Sequence, residues 1–357
     1  MKLFLIILLL QILYPENIHR NCLNNTGSRS HGQRHDDLSE VYLSPSEHFM
    51  IHYDASGTDA PISGDLNSNN IPDYVERAGI IADSTRQILT EVMGFREEVD
   101  DDDGKYDIYI LDLGGGLSGV YGYNYIDHTD EITGSSWIEI DNDYSEDIYA
   151  VKGLIAMEFT LAHEFFHAIQ RAYREELLSN SYFAEFTSMW FEDIIVPNAN
   201  DYLHFLSSSY FSTSFFSNPE QKLSDTDGYS VALYGHYLSS IVEQVSDQTE
   251  STIIRKVWEK FGNGLDPMIA LDEVLQEEEY GTSFIDTWVD FCSRNFHNGH
   301  FSDMSNDIYY YIDQTSTVIN SQNLDLEEVN LNQSYIGYNS LDTLSQLSIS
   351  QPQTFNL

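Results

Sequence analysis

The chain has 357 residues, enough for one large domain or two modest ones, with 58 acidic against 16 basic residues and a formal net charge of −42 at pH 7. That balance excludes a nucleic-acid partner, which needs basic patches, and suits calcium binding or a high-salt medium. A hydrophobic content of 41%, with 13% aromatic residues, fills a sizeable core and excludes a disordered chain.

Lys2 followed by the apolar run Leu3 to Leu13 predicts a signal peptide over residues 1–16. The run is too short to span a bilayer. No Ala-x-Ala cleavage site follows it, and a buried N-terminal strand is the competing reading. No later stretch is long enough for a membrane helix. The mature chain is therefore expected to be soluble, without a membrane span, and secreted, extracellular or periplasmic. Export permits a disulfide between Cys22 and Cys292; two free thiols are the alternative. Residues 17–40 are polar and rich in His, Asn, Ser and Arg, as in a flexible leader or short pro-segment. His48-Phe49-Met50-Ile51-His52-Tyr53 alternates as a strand does. Its two histidines read as strand residues with satisfied hydrogen bonds rather than as metal ligands.

The next segment, Asp65-Leu66-Asn67-Ser68-Asn69-Asn70-Ile71-Pro72-Asp73-Tyr74-Val75-Glu76, sets oxygen side chains at loop positions 1, 3, 5, 9 and 12. This is the register of an EF-hand calcium loop, with the Ile71 carbonyl between them. The expected calcium ligands are Asp65, Asn67, Asn69, Ile71, Asp73 and Glu76. Asn70 replaces the usual glycine, and Asn tolerates the left-handed conformation better than other side chains. An Asn/Asp-rich helix-capping turn is the competing reading. A helix follows, about Asp73 to Met93, with Val75, Ala78, Ile81, Ile88 and Val92 as its apolar side. Asp100-Asp101-Asp102-Asp103-Gly104 reads as a solvated acidic turn, or as a second calcium site. Strands are expected over Tyr106 to Leu111 and Ser136 to Asp141. Gly114, Gly115, Gly116 and Gly119 lie between these two strands as a connection, not as a phosphate loop.

Helices follow over 147–174 and 181–195. The first contains His163-Glu164-Phe165-Phe166-His167. Histidines four residues apart lie on one helical face, one turn from each other, and can bind one zinc ion. Glu164 beside them can take a proton from a water activated by that metal. The flanks Met157, Phe159, Leu161, Ile169 and the two Phe residues make the helix apolar nearly all round, so it is buried. A catalytic zinc needs a third protein ligand and an open position. Glu185, 18 residues after His167, stands in Tyr182-Phe183-Ala184-Glu185-Phe186-Thr187-Ser188-Met189-Trp190. A carboxylate in so apolar a helix is costly to bury unless it is paired or binds a metal.

The His163-Glu164-x-x-His167 pair with Glu185 resembles the gluzincin group of zinc metallopeptidases, which includes the thermolysin-like enzymes. With the Asp/Asn-rich segment ahead of it, the run is similar to a group of exported bacterial metalloproteases, over about residues 45–260. The resemblance implies an α+β, zincin-like fold for residues 41–300: a twisted sheet, an active-site helix and a helical lobe. It implies zinc on His163, His167 and Glu185, with Glu164 as general base toward a peptide or protein substrate. It also implies that the strand before the active-site helix is a sheet edge that pairs with substrate backbone. A Tyr or His downstream would donate to the oxyanion; Tyr229 matches best, with Tyr234 and His236 as rivals. The thermolysin-like enzymes place an Asp four residues after the ligand Glu, where this chain has Met189. Glu192 shares the face of Glu185 and is the substitute for orienting a zinc-bound histidine, or a rival third ligand.

Further helices are expected near 250–261, 267–278 and 281–297. Residues 301–357 turn to Asn, Gln, Ser, Thr and Tyr and read as a β-rich segment, ending as a fragment would. The expected activity is that of a secreted zinc metallopeptidase. The alternatives are an inactive, calcium-stabilised binding or adhesion protein on the same scaffold, and a zinc hydrolase of other substrates.

Overall fold

The computed structural model describes residues 34–35, 37–101, 103–114, 120–129, 132–175, 177–206, 215 and 221–296, together with two short strands beyond them. The expected signal peptide, Cys22, most of the glycine run and nearly all of 301–357 lie outside the described residues. Within 301–357 the two strands are Ile336–Gly337 and Leu347–Ser348, which pair antiparallel.

The described residues form a mixed α+β structure. Five strands make one sheet: β1 (Glu40–Leu43), β2 (Phe49–Tyr53), β3 (Tyr106–Leu111), β4 (Gly122–Thr129) and β5 (Gly134–Asp141). Their order is β1-β2-β3-β5-β4. The three inner strands run parallel, while β1 and β4 are antiparallel to their neighbours. Strand β2 buries Phe49, Ile51 and Tyr53 and leaves the residues between them half-buried, the alternation its sequence carries.

Strand β4 has no counterpart in the sequence reading, and it changes the topology. β5, expected at the sheet edge, is an interior strand between β3 and β4. The outer strand on that side is β4. Its polar side chains hide it from pattern reading, because they are satisfied by distant partners. Asn124, for example, bonds to Tyr106, Ser136 and Arg171.

Helices α1 (Asp73–Gln87) and α2 (Leu154–Arg171) pack together and cover one face of the sheet. Val75, Ala78 and Ile81 of α1 are buried as expected, but Val92 is exposed. After Gln87 the helix widens to a π-turn over Ile88–Val92, closed by Met93 N–H donating to the Ile88 carbonyl. The wider turn rotates the later side chains, so Leu89 and Met93 enter the core and Val92 leaves it. Helix α2 is buried from Ala156 to Arg171 except at Glu158. Its Phe165 packs edge-on against Phe49 and Tyr106 of the sheet. Each fully buried Phe, Leu or Ile contributes roughly 1.5–3 kcal/mol, so packing rather than propensity holds α2 in place.

Helix α3 (Ser181–Ile195) lies against α2, with Phe166 on Phe191. Helices α4 (Ala232–Tyr237), α5 (Ile253–Gly262), α6 (Pro267–Leu275) and α7 (Phe284–Phe296) complete a helical lobe. Trp258 of α5 joins the lobe to Phe183 of α3. Cys292 of α7 is a free thiol, its pKa pushed up to about 12 by burial. No helix among the described residues is long and apolar enough to cross a membrane.

The end of the expected flexible leader is instead built into the other face of the sheet. Arg34 pairs with Asp101 and Asp107 and bonds to Asp127 at 2.8 Å, while its guanidinium sits 5.6 Å from the Trp137 ring. His35 Nε2 lies 2.9 Å from Glu139 Oε1. Leu38 packs on a small cluster of Tyr109, Leu111 and Trp137. Residues 34–35 and 37–40 are therefore part of the fold, and Asp101 of the acidic run has Arg34 as its cation. His52 Nε2 is 2.7 Å from Asp107 Oδ1 and stacks on Tyr109, and His48 pairs with Glu98. Both strand histidines thus have carboxylate partners.

Candidate metal centre

Helix α2 presents two working faces. One carries His163 and His167 toward α3; the other carries Thr160 and Glu164 toward β4. The i, i+4 spacing places each pair on its own ridge. Helix α3 answers the histidine ridge with Glu185 and, two turns on, Glu192. All five of these residues, His163, Glu164, His167, Glu185 and Glu192, are at most 4% exposed.

The ring orientations are fixed from behind. His163 Nδ1 donates to Glu192 Oε2 at 2.8 Å. A carboxylate only accepts, so this bond puts the proton on Nδ1. His167 Nδ1 donates to Gln170 Oε1 at 2.9 Å. Gln170 cannot turn its amide over, because its Nε2 faces the Ala184 carbonyl, Thr187 Oγ1 and Ser188 Oγ at 3.0–3.1 Å. Both Nε2 atoms are left to point forward. They converge on Glu185 Oε2, at 3.0 Å from His163 and 3.4 Å from His167. The three side chains offer ligand atoms that all lie within 4.8 Å of one another.

Two imidazole lone pairs and a carboxylate oxygen do not converge at this range in a dry site without a cation or protons between them. Ligand atoms about 2.0–2.2 Å from a tetrahedral zinc stand about 3.4 Å apart. The donor set and its spacing therefore fit a zinc ion, with Glu192 and Gln170 orienting the two histidines. Burial opposes the charge on Glu185; its pKa is held down, at about 2, only by positive charge at His167 and His163, which a metal cation at the same place would replace. Of the two acidic candidates on α3, Glu185 meets both forward nitrogens and Glu192 meets the rear of one ring. Met189, where the resemblance would put an Asp, is fully buried.

The turn before α4 closes the site. Gly228 has φ 87°, and a Cβ there would lie 2.2 Å from the Tyr182 carbonyl and 3.0 Å from Glu185 Cβ. Only glycine lets this turn seat against α3 in that conformation. The next residue, Tyr229, then stacks obliquely on His163, with ring centroids 6.2 Å apart, and on Phe205. Its rivals lie elsewhere. The Tyr234 hydroxyl bonds to Thr287 Oγ1 at 2.7 Å amid Trp288 and Phe291. His236 Nδ1 meets Gln248 Oε1 at 2.8 Å, and burial pushes its pKa down to about 4.

Glu164 turns to the other side. Its carbonyl accepts from Asn124 Nδ2 of β4 at 3.1 Å, and its side chain passes beside Gly122. Gln170, Gly228, Gly122 and Asn124 were given no role by sequence reading. Only Gln170 leaves a local signal: it sits three residues after His167, on the same face of an apolar helix, and needs buried partners.

The Asp/Asn-rich loop lies apart from this centre. Asp65 accepts from the backbone N–H of Asn69 and Asn70, and Asp73 from that of Leu66. Asn67 Oδ1 and Asn69 Oδ1 accept from Asn69 and Ile71 N–H. The Asn67 and Asn69 amides donate to Glu76 at 2.9 and 2.8 Å. Asn70 adopts the expected left-handed conformation, φ 68°. Five of the six expected calcium ligands, Asp65, Asn67, Asn69, Asp73 and Glu76, are thus drawn into one ring of bonds. Calcium would need both exposed amides to turn their oxygens inward, which costs little at a solvent-facing loop. Millimolar calcium is therefore expected to raise the melting temperature by mass action, and Asp65→Ala to abolish that rise. A calcium response that survives Asp65→Ala places the site elsewhere. In another acidic group, Asp141, Asp143 and Glu146, the Asp141 carboxylate already accepts from Leu113, Gly114, Asp143 and Tyr144 N–H.

No protein-family model matches the chain, and no curated protein matches it.

Proposed function

We propose that this chain is an exported zinc-dependent peptidase of the zincin type. The observation that carries the reading is the convergence of His163 Nε2, His167 Nε2 and Glu185 Oε2, with both Nδ1 atoms already committed behind them. Zinc, when bound there, supplies a Lewis acid that lowers the pKa of a water and polarises a carbonyl oxygen. His163, His167 and Glu185 hold it; Glu192 and Gln170 keep the two rings from turning. Glu164 takes the proton from the attacking water and returns it to the leaving amine. Tyr229, beside His163, donates to the oxygen on which charge develops. An extended peptide would lie along β4, the outer strand of the described sheet next to Glu164, and pair with its outer backbone edge. The Asp/Asn-rich loop would add a stabilising calcium at a distance.

A binding protein on an inactive version of this scaffold is disfavoured by the presence of the base and all three ligands. Elemental analysis of protein purified without chelator is expected to give one zinc per chain, lost in a His163→Ala, His167→Ala double variant. The same protein is expected to cleave an unfolded protein substrate, and a parallel ester screen separates a peptidase from another hydrolase. Full zinc in the double variant overturns the site; zinc without any hydrolysis overturns the activity.

A further inference from the structure

We propose that Gly122 is a positioning residue for Glu164: it keys the outer strand to the base, and any side chain there displaces the carboxylate. The proposal rests on the reading of Glu164 as general base.

The contact is between two elements far apart in sequence. Gly122 opens β4 and pairs with Ile140 of β5. A Cβ at this position would lie 2.7 Å from Thr160 Cγ2, 3.0 Å from the Glu139 carbonyl oxygen and 3.0 Å from Glu164 Cγ. Carbon atoms in contact stand about 3.5–4.0 Å apart, so α2 meets β4 at a distance that no side chain allows. Gly122 is not among the residues with positive φ. Its own φ would therefore accept alanine; what forbids alanine is the approach of Thr160, Glu164 and the Glu139 carbonyl.

Those two side chains form one ridge of α2. Two residues further along β4, Asn124 donates to the Glu164 carbonyl. Asn124 is held in turn by Arg171 Nε at 2.7 Å, from the last turn of α2. The outer strand therefore grips Glu164 at the backbone through Asn124 and at the side chain through Gly122. An added methyl at 122 meets a backbone carbonyl of an interior strand, which cannot retreat cheaply. It also meets two side chains, and Glu164 has the torsions to swing. Because substrate would pair with this same strand, the Gly122 contact sets the spacing between the peptide backbone and the group that moves its proton. A misplacement of about 1 Å costs on the order of 10²-fold in rate, and smaller shifts cost less.

The test compares Gly122→Ala, Thr160→Ala and the double variant in the full chain. Thr160→Ala removes the closest clash and leaves the contact with Glu164 Cγ. Gly122→Ala is expected to keep its zinc, to melt at a lower temperature and to lose about tenfold or more in kcat, with KM little changed. In the double variant the melting temperature is expected to recover part of the loss relative to Thr160→Ala, the contacts with the Glu139 carbonyl and Glu164 remaining, while kcat stays low. A purely structural role moves both together, so recovery of kcat with stability overturns the proposal. A second readout needs no turnover. In cobalt(II)-substituted protein, the visible spectrum of Gly122→Ala is expected to depart from wild type as that of Glu164→Gln does. A wild-type spectrum and wild-type kcat in Gly122→Ala overturn the positioning role alone. A wild-type chain that binds no metal and cleaves nothing overturns the peptidase reading, and this proposal with it.

Discussion

Glu164→Gln is expected to keep its zinc and its fold while losing nearly all peptide hydrolysis. Glu164 follows His163 directly, so its side chain is rotated about 100° from the ligand ridge. It faces β4, whereas the two histidines face α3. The bonds that orient the histidines, His163 to Glu192 and His167 to Gln170, do not involve it. Gln keeps the length of the side chain and the backbone bond to Asn124, and removes only the proton acceptor. A positioned base contributes roughly 10²–10⁴-fold, and the loss of kcat should fall in that range. Elemental analysis, a melting curve and turnover of an unfolded protein measure the three properties separately. Near-normal turnover in the variant would remove the proposed mechanism. Loss of zinc would make Glu164 a ligand.

The parts of this centre legible in the sequence are those written in helical periodicity. His163 and His167 share a face because four residues make about one turn, and Glu185 stands out as a carboxylate in an apolar helix. Both signals are local. The supports are not. Gln170 reaches oxygens of α3 14 to 18 residues away, and Asn124 reaches the Glu164 carbonyl 40 residues away. Strand β4 was illegible for the same reason: its polar residues look like loop until their partners on β3, β5 and α2 are known. The resemblance puts the strand before the histidine-bearing helix at the sheet edge, a place that β4 takes instead. Arg34 was read as leader because its carboxylate partners lie 67 to 93 residues on. The π-turn that expels Val92 has no sequence mark of its own, since helical periodicity alone predicted the opposite face.

Glu185 and Glu192 are separated by a second pair of variants, whose outcomes should differ in kind. Glu185 Oε2 meets the forward nitrogen of both histidines. Glu185→Ala takes away one of three ligand atoms and leaves two imidazoles facing a void. This variant is expected to hold no stoichiometric zinc, even in excess metal. Glu192 meets the rear nitrogen of His163. Its removal frees the ring to turn and withdraws a carboxylate that makes the imidazole a stronger donor, a loss typically of 10–100-fold in affinity. Glu192→Ala should therefore bind zinc more weakly but still reach one per chain at saturation. Glu192→Gln, whose amide oxygen can still accept from Nδ1, should fall between Glu192→Ala and wild type. Zinc titration followed by elemental analysis of the desalted protein reads all three. If Glu192→Ala cannot be saturated while Glu185→Ala can, the two carboxylates exchange roles. The third ligand then lies two turns further along α3, and His163 must present its other nitrogen to the metal.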